Sequence, residues 1–149
     1  MVVSVYVGYP SQKSILNTAR QFAANVETAD WNPPLRKKIE AYSKGNVIDF
    51  SDVAIDIAVT TEFQLKVILA TRQIPYGETV SYGELATQVG HPRAARAVGT
   101  VMASNRFPLI IPCHRVLAAG GKLGGYSSPS GTNLKLKLLG LETKSISCD

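Results

Sequence analysis

The sequence predicts an α+β protein of two small lobes, a short α/β lobe at the N-terminus and a mainly helical C-terminal lobe built around a helix-turn-helix. Length, composition and pattern carry this expectation. At 149 residues the chain has room for one ordinary domain or for two small lobes that share an interface. Hydrophobic residues make up 45% and charged ones 18%, enough apolar surface to bury a core, which argues against disorder. Strand-like runs open and close residues 1–58, whereas helix-start signals and helical spacing govern much of residues 59–149.

In the first lobe, Val2-Val3-Ser4-Val5-Tyr6-Val7 reads as a strand that turns at Gly8-Tyr9-Pro10. Leu16 to Asn25 is a helix candidate. Leu35 to Ser43 is another with clearer bounds, since Pro33-Pro34 precede it and Gly45 follows. The alternation of Val53, Ile55, Ile57 and Val59 suggests a strand leading into the second lobe.

In the second lobe, Thr61-Glu62-Phe63-Gln64 has capping-box spacing, and Phe63, Val67 and Ile68 recur at helical intervals, giving a helix that ends before Pro75-Tyr76-Gly77. A second box, Ser81-Tyr82-Gly83-Glu84, opens a short helix that Gly90 can close. Pro92 suits the first turn of the next helix, about Pro92 to Ser104. Two helices joined by a tight Gly-containing turn are the local grammar of a helix-turn-helix, and equally of a helix pair in an all-α core. Ala94, Ala95, Ala97, Gly99 and Ala103 leave the second helix nearly bare. Small residues allow close approach to a groove, with Arg93 and Arg96 supplying charge, or simply tight helix packing. Leu109-Ile110-Ile111 then reads as a short apolar strand.

The net charge of +5 matters less than its distribution. From Leu85 to Gly140 there is no Asp or Glu, yet the run carries Arg93, Arg96, Arg106, Arg115, Lys122, Lys135 and Lys137. Residues 1–84 hold eight basic against nine acidic side chains. The excess positive charge therefore lies where a nucleic-acid surface would be, or else forms a merely solvated basic face. The apolar start lacks a basic lead and a long uncharged span, which disfavours a secretory signal, a membrane helix or a membrane partner. Two cysteines, Cys113 and Cys148, cannot build a disulfide framework, and no Cys/His cluster has zinc-finger spacing. A reducing compartment, the cytoplasm, is expected.

The apolar run 109–111 leads into Pro112-Cys113-His114-Arg115-Val116. Three fates compete for Cys113. Burial as a structural residue is the commonest, and metal ligation lacks further ligands, the other histidine being His91. A nucleophile needs a base and an orienting acid, which His114 and Glu142 could supply. Flanking His and Arg could favour the thiolate. Neighbouring side chains of a strand point to opposite faces, so His114 can serve Cys113 only if the chain turns sharply, as Pro112 allows.

Pro112-Cys113-His114-Arg115-Val116 resembles the active-site signature of the O6-alkylguanine-DNA alkyltransferases, and the likeness runs from about Thr61 to Glu142. It takes in Phe63-Gln64, Pro75-Tyr76-Gly77, Ser81-Tyr82, Arg93-Ala94-Ala95-Arg96-Ala97-Val98-Gly99, Asn105 and Gly124-Gly125-Tyr126-Ser127. The resemblance implies irreversible, single-turnover transfer of an alkyl group from O6-alkylguanine in DNA to Cys113, with O4-alkylthymine a further candidate substrate. His114 would take the thiol proton through a water and Glu142 would orient His114, a Ser-His-Asp logic with a water inserted. Tyr82 would donate to N3 of the flipped guanine, and the Ser127 backbone amide would bind O6. The carbonyls of Cys113 and Val116 would hold the exocyclic amine, with Tyr126 beside the substrate. Arg96, with Arg93, Ala95 and Tyr82 in the DNA contact, would enter the stack through the minor groove of double-stranded DNA. Asn105 would be the hinge between recognition helix and Cys segment. The implied partner is DNA, met by a monomer without cofactor.

The segment Ser127-Ser128-Pro129-Ser130-Gly131 departs from the family by its apparent length, which bears on tolerance for bulky adducts. The N-terminal lobe has no cysteine for the structural zinc of some relatives. By resemblance it would be ribonuclease-H-like with a small antiparallel sheet. Three other readings compete: an alkyltransferase-like binder, which would lack the acceptor Cys; a helix-turn-helix regulator, which would need a further module; and a Cys hydrolase, which would turn over repeatedly.

Overall fold

Four helices begin at a small polar side chain that takes up an unpaired backbone N–H, the usual solution for a helix start. Ser11 caps α1 (Gln12–Arg20), Asn32 caps α2 (Pro33–Ser43), Thr61 caps α3 (Glu62–Arg72) and Ser81 caps α4 (Tyr82–Gln88). The Ser81 box closes from both sides, with Glu84 N–H donating to Ser81 Oγ at 3.1 Å and Ser81 N–H to Glu84 Oε2 at 2.6 Å. At Thr61 the side chain accepts from Gln64 N–H. The computed structural model describes residues 2–23, 26, 29, 30, 32–57 and 61–146, with side chains to 143.

α3, α4 and α5 (Ala95–Ala103) wrap one core of Val67, Leu85, Ala86, Val98, Val101, Met102 and Val116. Val67, Leu85, Val98 and Val116 are fully buried, each worth about 1.5–3 kcal/mol relative to exposure. Gly90, at φ +85°, makes the left-handed turn between α4 and α5, a conformation glycine adopts without steric penalty. β1 (Val80–Ser81) and β2 (Val116–Leu117) form a two-stranded parallel sheet in register Val80 with Val116, placing the start of α4 beside the Cys113 segment.

A second core joins Val2, Tyr42 and Phe50 from the N-terminal half to Phe107, Leu109, Ile110 and Ile111, with Leu138 and Leu141 of α6 (Gly131–Ile146) packed against it. Among the described residues no helix is long and apolar enough to cross a membrane.

Several local expectations are corrected. The strand at Val2–Val7 reduces to one parallel bridge, Val2 with Ile55, in place of a small antiparallel sheet. Val5 N–H instead donates to Arg106 O at 2.8 Å, so this backbone is held by the C-terminal half. Of the partner run, Val59 lies outside the described residues. α1 starts before Leu16 because Ser11 and Ser14 form their own capping box, and Asn25 is outside the described residues. α5 starts at Ala95, since Ala94 N–H bonds His91 O and residues 91–94 form a turn. Leu109–Ile111 is a buried turn, with Leu109 at φ +74° and Ile111 N–H bonded to Phe107 O at 2.8 Å. Pro108 and Pro112 flank it without donors for a ladder. α6 was unforeseen: the alternation Leu134-Lys135-Leu136-Lys137-Leu138 hides its helical spacing.

Candidate active site

The chain reaches the site through two hydrogen-bonded reversals. Asn105 accepts from Phe107 N–H at 2.9 Å and donates to Ile111 O at 2.9 Å, closing the buried turn. Pro112, at φ −78° and ψ 62°, then sits in an inverse γ-turn, with Cys113 N–H donating to Ile111 O at 2.8 Å. Cys113–Arg115 continue as one 3-10 turn, so Cys113 and His114 diverge, one toward a pocket and the other into the protein.

Cys113, 7% exposed, lines a cavity of about 330 Å³ with Tyr82, Gly99, Met102, Ala103, Gly125, Tyr126 and Ser127. The first residue of α4, the far half of α5 and the segment before α6 thus converge on one sulfur. Burial pushes the Cys113 thiol above its ordinary value, against the opposing hydrogen bond that Asn105 Nδ2 donates to Sγ at 3.0 Å. The flanking His114 and Arg115 were expected to favour the thiolate, whereas here desolvation outweighs the Asn105 hydrogen bond and the Lys135 charge that oppose it. Burial also raises the phenols of Tyr82 and Tyr126, with the nearby sulfur adding to the effect. Gly124, at φ +65°, lets the backbone pass Tyr82, where a Cβ would come within 3.2 Å of the ring.

Behind Cys113 lies a buried polar cluster. His114 Nε2–H donates to Glu142 Oε1 at 2.8 Å, which leaves His114 Nδ1 as the free lone pair, buried and without a protein partner. Glu142 also accepts from Tyr42 Oη–H at 2.7 Å, from Arg115 Nε at 3.0 Å and Nη2 at 2.9 Å, and from Gly77 N–H at 3.0 Å. Burial alone would raise its pKa, but His114, Arg115 and Tyr42 together hold the carboxyl far below the usual range. His114 is shifted down by burial, which the hydrogen bond to Glu142 only partly offsets. The geometry suits a neutral imidazole whose acceptor nitrogen is free for a proton.

The remaining candidates divide. Asn105 touches the sulfur but lies outside the cavity wall. Val116 is fully buried, its carbonyl accepting from Lys135 Nζ at 2.6 Å, while the Cys113 carbonyl accepts from Val116 N–H. Arg93 and Arg96 are exposed before and on the first turn of α5, with Ala95 half-buried between them. α5 has two faces: Val98, Val101 and Met102 pack the core, whereas Gly99 and Ala103 line the cavity. Arg115 and Lys135 are buried and drop out of the basic surface. Their charge serves the interior, Arg115 on Glu142 and Lys135 on Val116 O with its ammonium 5.9 Å from the Tyr82 ring centre.

Sequence reasoning missed Tyr42, Gly77 and Lys135. Lys135 and Glu142 stand seven residues apart on one face of α6, a readable signal once that helix is drawn. Pro75-Tyr76-Gly77 was visible without a role. Nothing local marks Tyr42.

The profile of the 6-O-methylguanine DNA methyltransferase DNA-binding domain matches residues 62–144. A methylated-DNA--protein-cysteine methyltransferase of Mycobacterium leprae is 50% identical over 105 residues, covering 70% of this chain and 61% of that protein. One from Mycolicibacterium paratuberculosis is 42% identical over 135 residues, covering 91% of this chain and 73% of its own length. Among solved structures, Mycobacterium tuberculosis OGT in complex with DNA superposes with a TM-score of 0.69 at 47% identity, over 74% of this chain and 66% of that one. The chain thus spans about three-fifths of the M. leprae relative, at 61%. With the profile covering more than half of its residues, the chain belongs to the 6-O-methylguanine DNA methyltransferase family.

Proposed function

We propose that the protein repairs DNA by one irreversible transfer of an alkyl group from O6-alkylguanine to Cys113, with O4-alkylthymine a second candidate substrate. The observation that carries this reading is the pairing of a pocket-facing thiol with a buried His114–Glu142 couple whose Nδ1 is free. A stacked base cannot reach a thiol in a cavity, so the nucleotide must rotate out at a cost of a few kcal/mol. Exposed Arg96, supported by Arg93 and the bare face at Ala95, enters through the minor groove and takes the place of the everted base. The minor groove carries little sequence information, which suits inspection of every guanine.

In the pocket the Ser127 amide binds O6, and the second lone pairs of the Cys113 and Val116 carbonyls accept from the exocyclic amine. Tyr126 and Tyr82 wall the purine. The Cys113 thiol gives its proton through one water to His114 Nδ1, and Glu142 stabilises the imidazolium. Sulfur bonds to the alkyl carbon as the C–O6 bond breaks, and that bonding pair returns to the purine. Tyr82 protonates N3, so guanine leaves as a neutral base; the imidazolium and tyrosinate reset by proton exchange. The thioether has no leaving route, so each molecule acts once. Asn105 is the hinge that ties α5 to the sulfur. The protein acts as a monomer in a reducing compartment, the cytoplasm, and works as two lobes, 1–58 and 59–149. The first braces the second through the core that Val2, Tyr42 and Phe50 share with Phe107 and residues 109–111.

Intact-protein mass spectrometry after incubation with duplex DNA bearing O6-methylguanine tests this. One added methylene mass on Cys113, with product stopping at protein concentration, is expected. Product growing linearly beyond that point, or no adduct, overturns it.

A further inference from the structure

Tyr42 sits on α2, 100 residues from Glu142 in sequence, yet its hydroxyl donates to Glu142 Oε1 at 2.7 Å. The ring is 2% exposed, held edge-on between Phe50 and Tyr76 with both ring centres 5.9 Å away. A buried Tyr ring needs no such partner to pack, but its hydroxyl does, and here it has selected the oxygen that also receives His114 Nε2–H.

We propose that Tyr42 is a positioning residue for the transfer reaction: its hydroxyl shares Glu142 Oε1 with His114 and thereby sets the basicity of that imidazole. This rests on the reading of His114 as the base. Oε1 accepts from three side chains, Tyr42 through Oη–H, His114 through Nε2–H and Arg115 through Nη2–H at 2.9 Å and Nε–H at 3.3 Å. Each one draws on the negative charge that stabilises the imidazolium. The groups facing His114 are Glu142 and Lys135 from α6, Arg115 from its own turn, and Tyr42 from α2, whose hydroxyl also stands 3.4 Å from His114 Nε2, with Tyr76 behind Tyr42. Of these, Tyr42 alone is a neutral donor brought in by the N-terminal half. Removing its hydroxyl leaves Glu142 paired with His114, Arg115 and Gly77, so the carboxylate stays ionised and gives more of its charge to His114. The imidazole then protonates at higher pH. Burial, which shifts His114 downward, is unchanged by the loss of one oxygen.

The experiment is the pH profile of single-turnover methyl transfer from O6-methylguanine duplex by the full chain, alongside NMR titration of the His114 imidazole. With two histidines in the sequence, exposed His91 serves as internal reference. In Tyr42→Phe the acid limb and the His114 midpoint should both move up by about one pH unit, the scale of one hydrogen bond to a charged group. At a pH below both limbs the rate falls on the order of tenfold. A site-specific 3-fluorotyrosine at position 42, a stronger donor of nearly the same shape, should move both the other way. Phe50→Leu, which loosens the same packing without touching the hydroxyl, should lower Tm and leave both midpoints in place. Unmoved midpoints in Tyr42→Phe and the fluorinated protein overturn the proposal, as does an equal shift in Phe50→Leu. If the wild-type protein transfers no methyl group, the reading of its function fails instead, and the His114 titration still reports on Tyr42.

Discussion

Asn105 Nδ2 stands 3.0 Å from Cys113 Sγ while bonding Ile111 O at 2.9 Å, so one amide holds both the sulfur and the turn that delivers it. Of the influences on the thiol, burial raises its pKa and this hydrogen bond is the first that lowers it. Asn105→Ala should therefore push the Cys113 thiol further up and leave Phe107 N–H unpaired, while Ile111 O keeps the bond from Cys113 N–H. Iodoacetamide labelling of Cys113 should need higher pH, and stability should fall by about 1–3 kcal/mol. A labelling profile at or below the wild-type pH would show that the amide does not act on the sulfur.

Acid should weaken the fold in two steps. His114 is held below its ordinary value of 6.5 and Glu142 far below 4.5. In both cases the unfolded chain binds protons first, so the stability each group contributes is complete above its unfolded value and is lost as pH falls toward the folded one. Urea midpoints should decline from about pH 6.5 downward and again below about pH 4.5. Glu142→Gln should cost about 3 kcal/mol or more near neutral pH, because buried Arg115 loses its counter-charge, and should erase the lower step. A lower step that survives in Glu142→Gln would assign it to other carboxylates.

Gly124 and Gly140 make opposite forecasts for the same substitution. At Gly124 a Cβ meets the Tyr82 ring at 3.2 Å in a backbone of φ +65°, so alanine should destabilise by roughly 1–2 kcal/mol and slow transfer by displacing Tyr82. At Gly140, within α6, a Cβ meets nothing within 4 Å, and alanine should stabilise by about 0.5–1 kcal/mol. Equal effects on Tm at the two positions would contradict the contact with Tyr82.

Arg96 is exposed and is not among the residues that line the Cys113 cavity. Its replacement by alanine should slow repair of duplex DNA much more than reaction with free O6-benzylguanine, which needs no eversion. Equal losses on both substrates would make Arg96 structural. Affinity for undamaged duplex should fall steeply with salt, through Arg93, Arg96 and the other exposed cations.

What the sequence made legible was local. The Ser81–Glu84 box is a four-residue signal and closes as read. Pro112 marked the sharp turn at the Cys113 segment, though not that this turn sends Cys113 and His114 in different directions. Leu109–Ile111 was misread because hydrophobicity reports burial and not backbone shape, and a buried turn between two prolines is as apolar as a strand. Arg115 and Lys135 were misread for a related reason: a charge count does not say which side of the surface a cation is on. The convergence of Cys113, Tyr82, Tyr126 and Ser127 on one cavity was legible through motif resemblance, whereas Tyr42 was hidden because only tertiary packing brings α2 to Glu142.

The turn at 107–111 belongs to the core shared with the N-terminal half and runs directly into Cys113. Whatever displaces the sulfur therefore pulls on the seam between the two halves. An S-alkyl group would take the place of the thiol hydrogen beside Asn105 Nδ2, which stands 3.0 Å from Sγ, and so press on the amide that closes this turn. On the proposed transfer, the chemistry that spends the protein should also loosen it, in the manner of a fuse. A cell could then sort used copies from fresh ones with its ordinary proteases, and its repair capacity would be set by rates of synthesis and clearance and not by any catalytic constant.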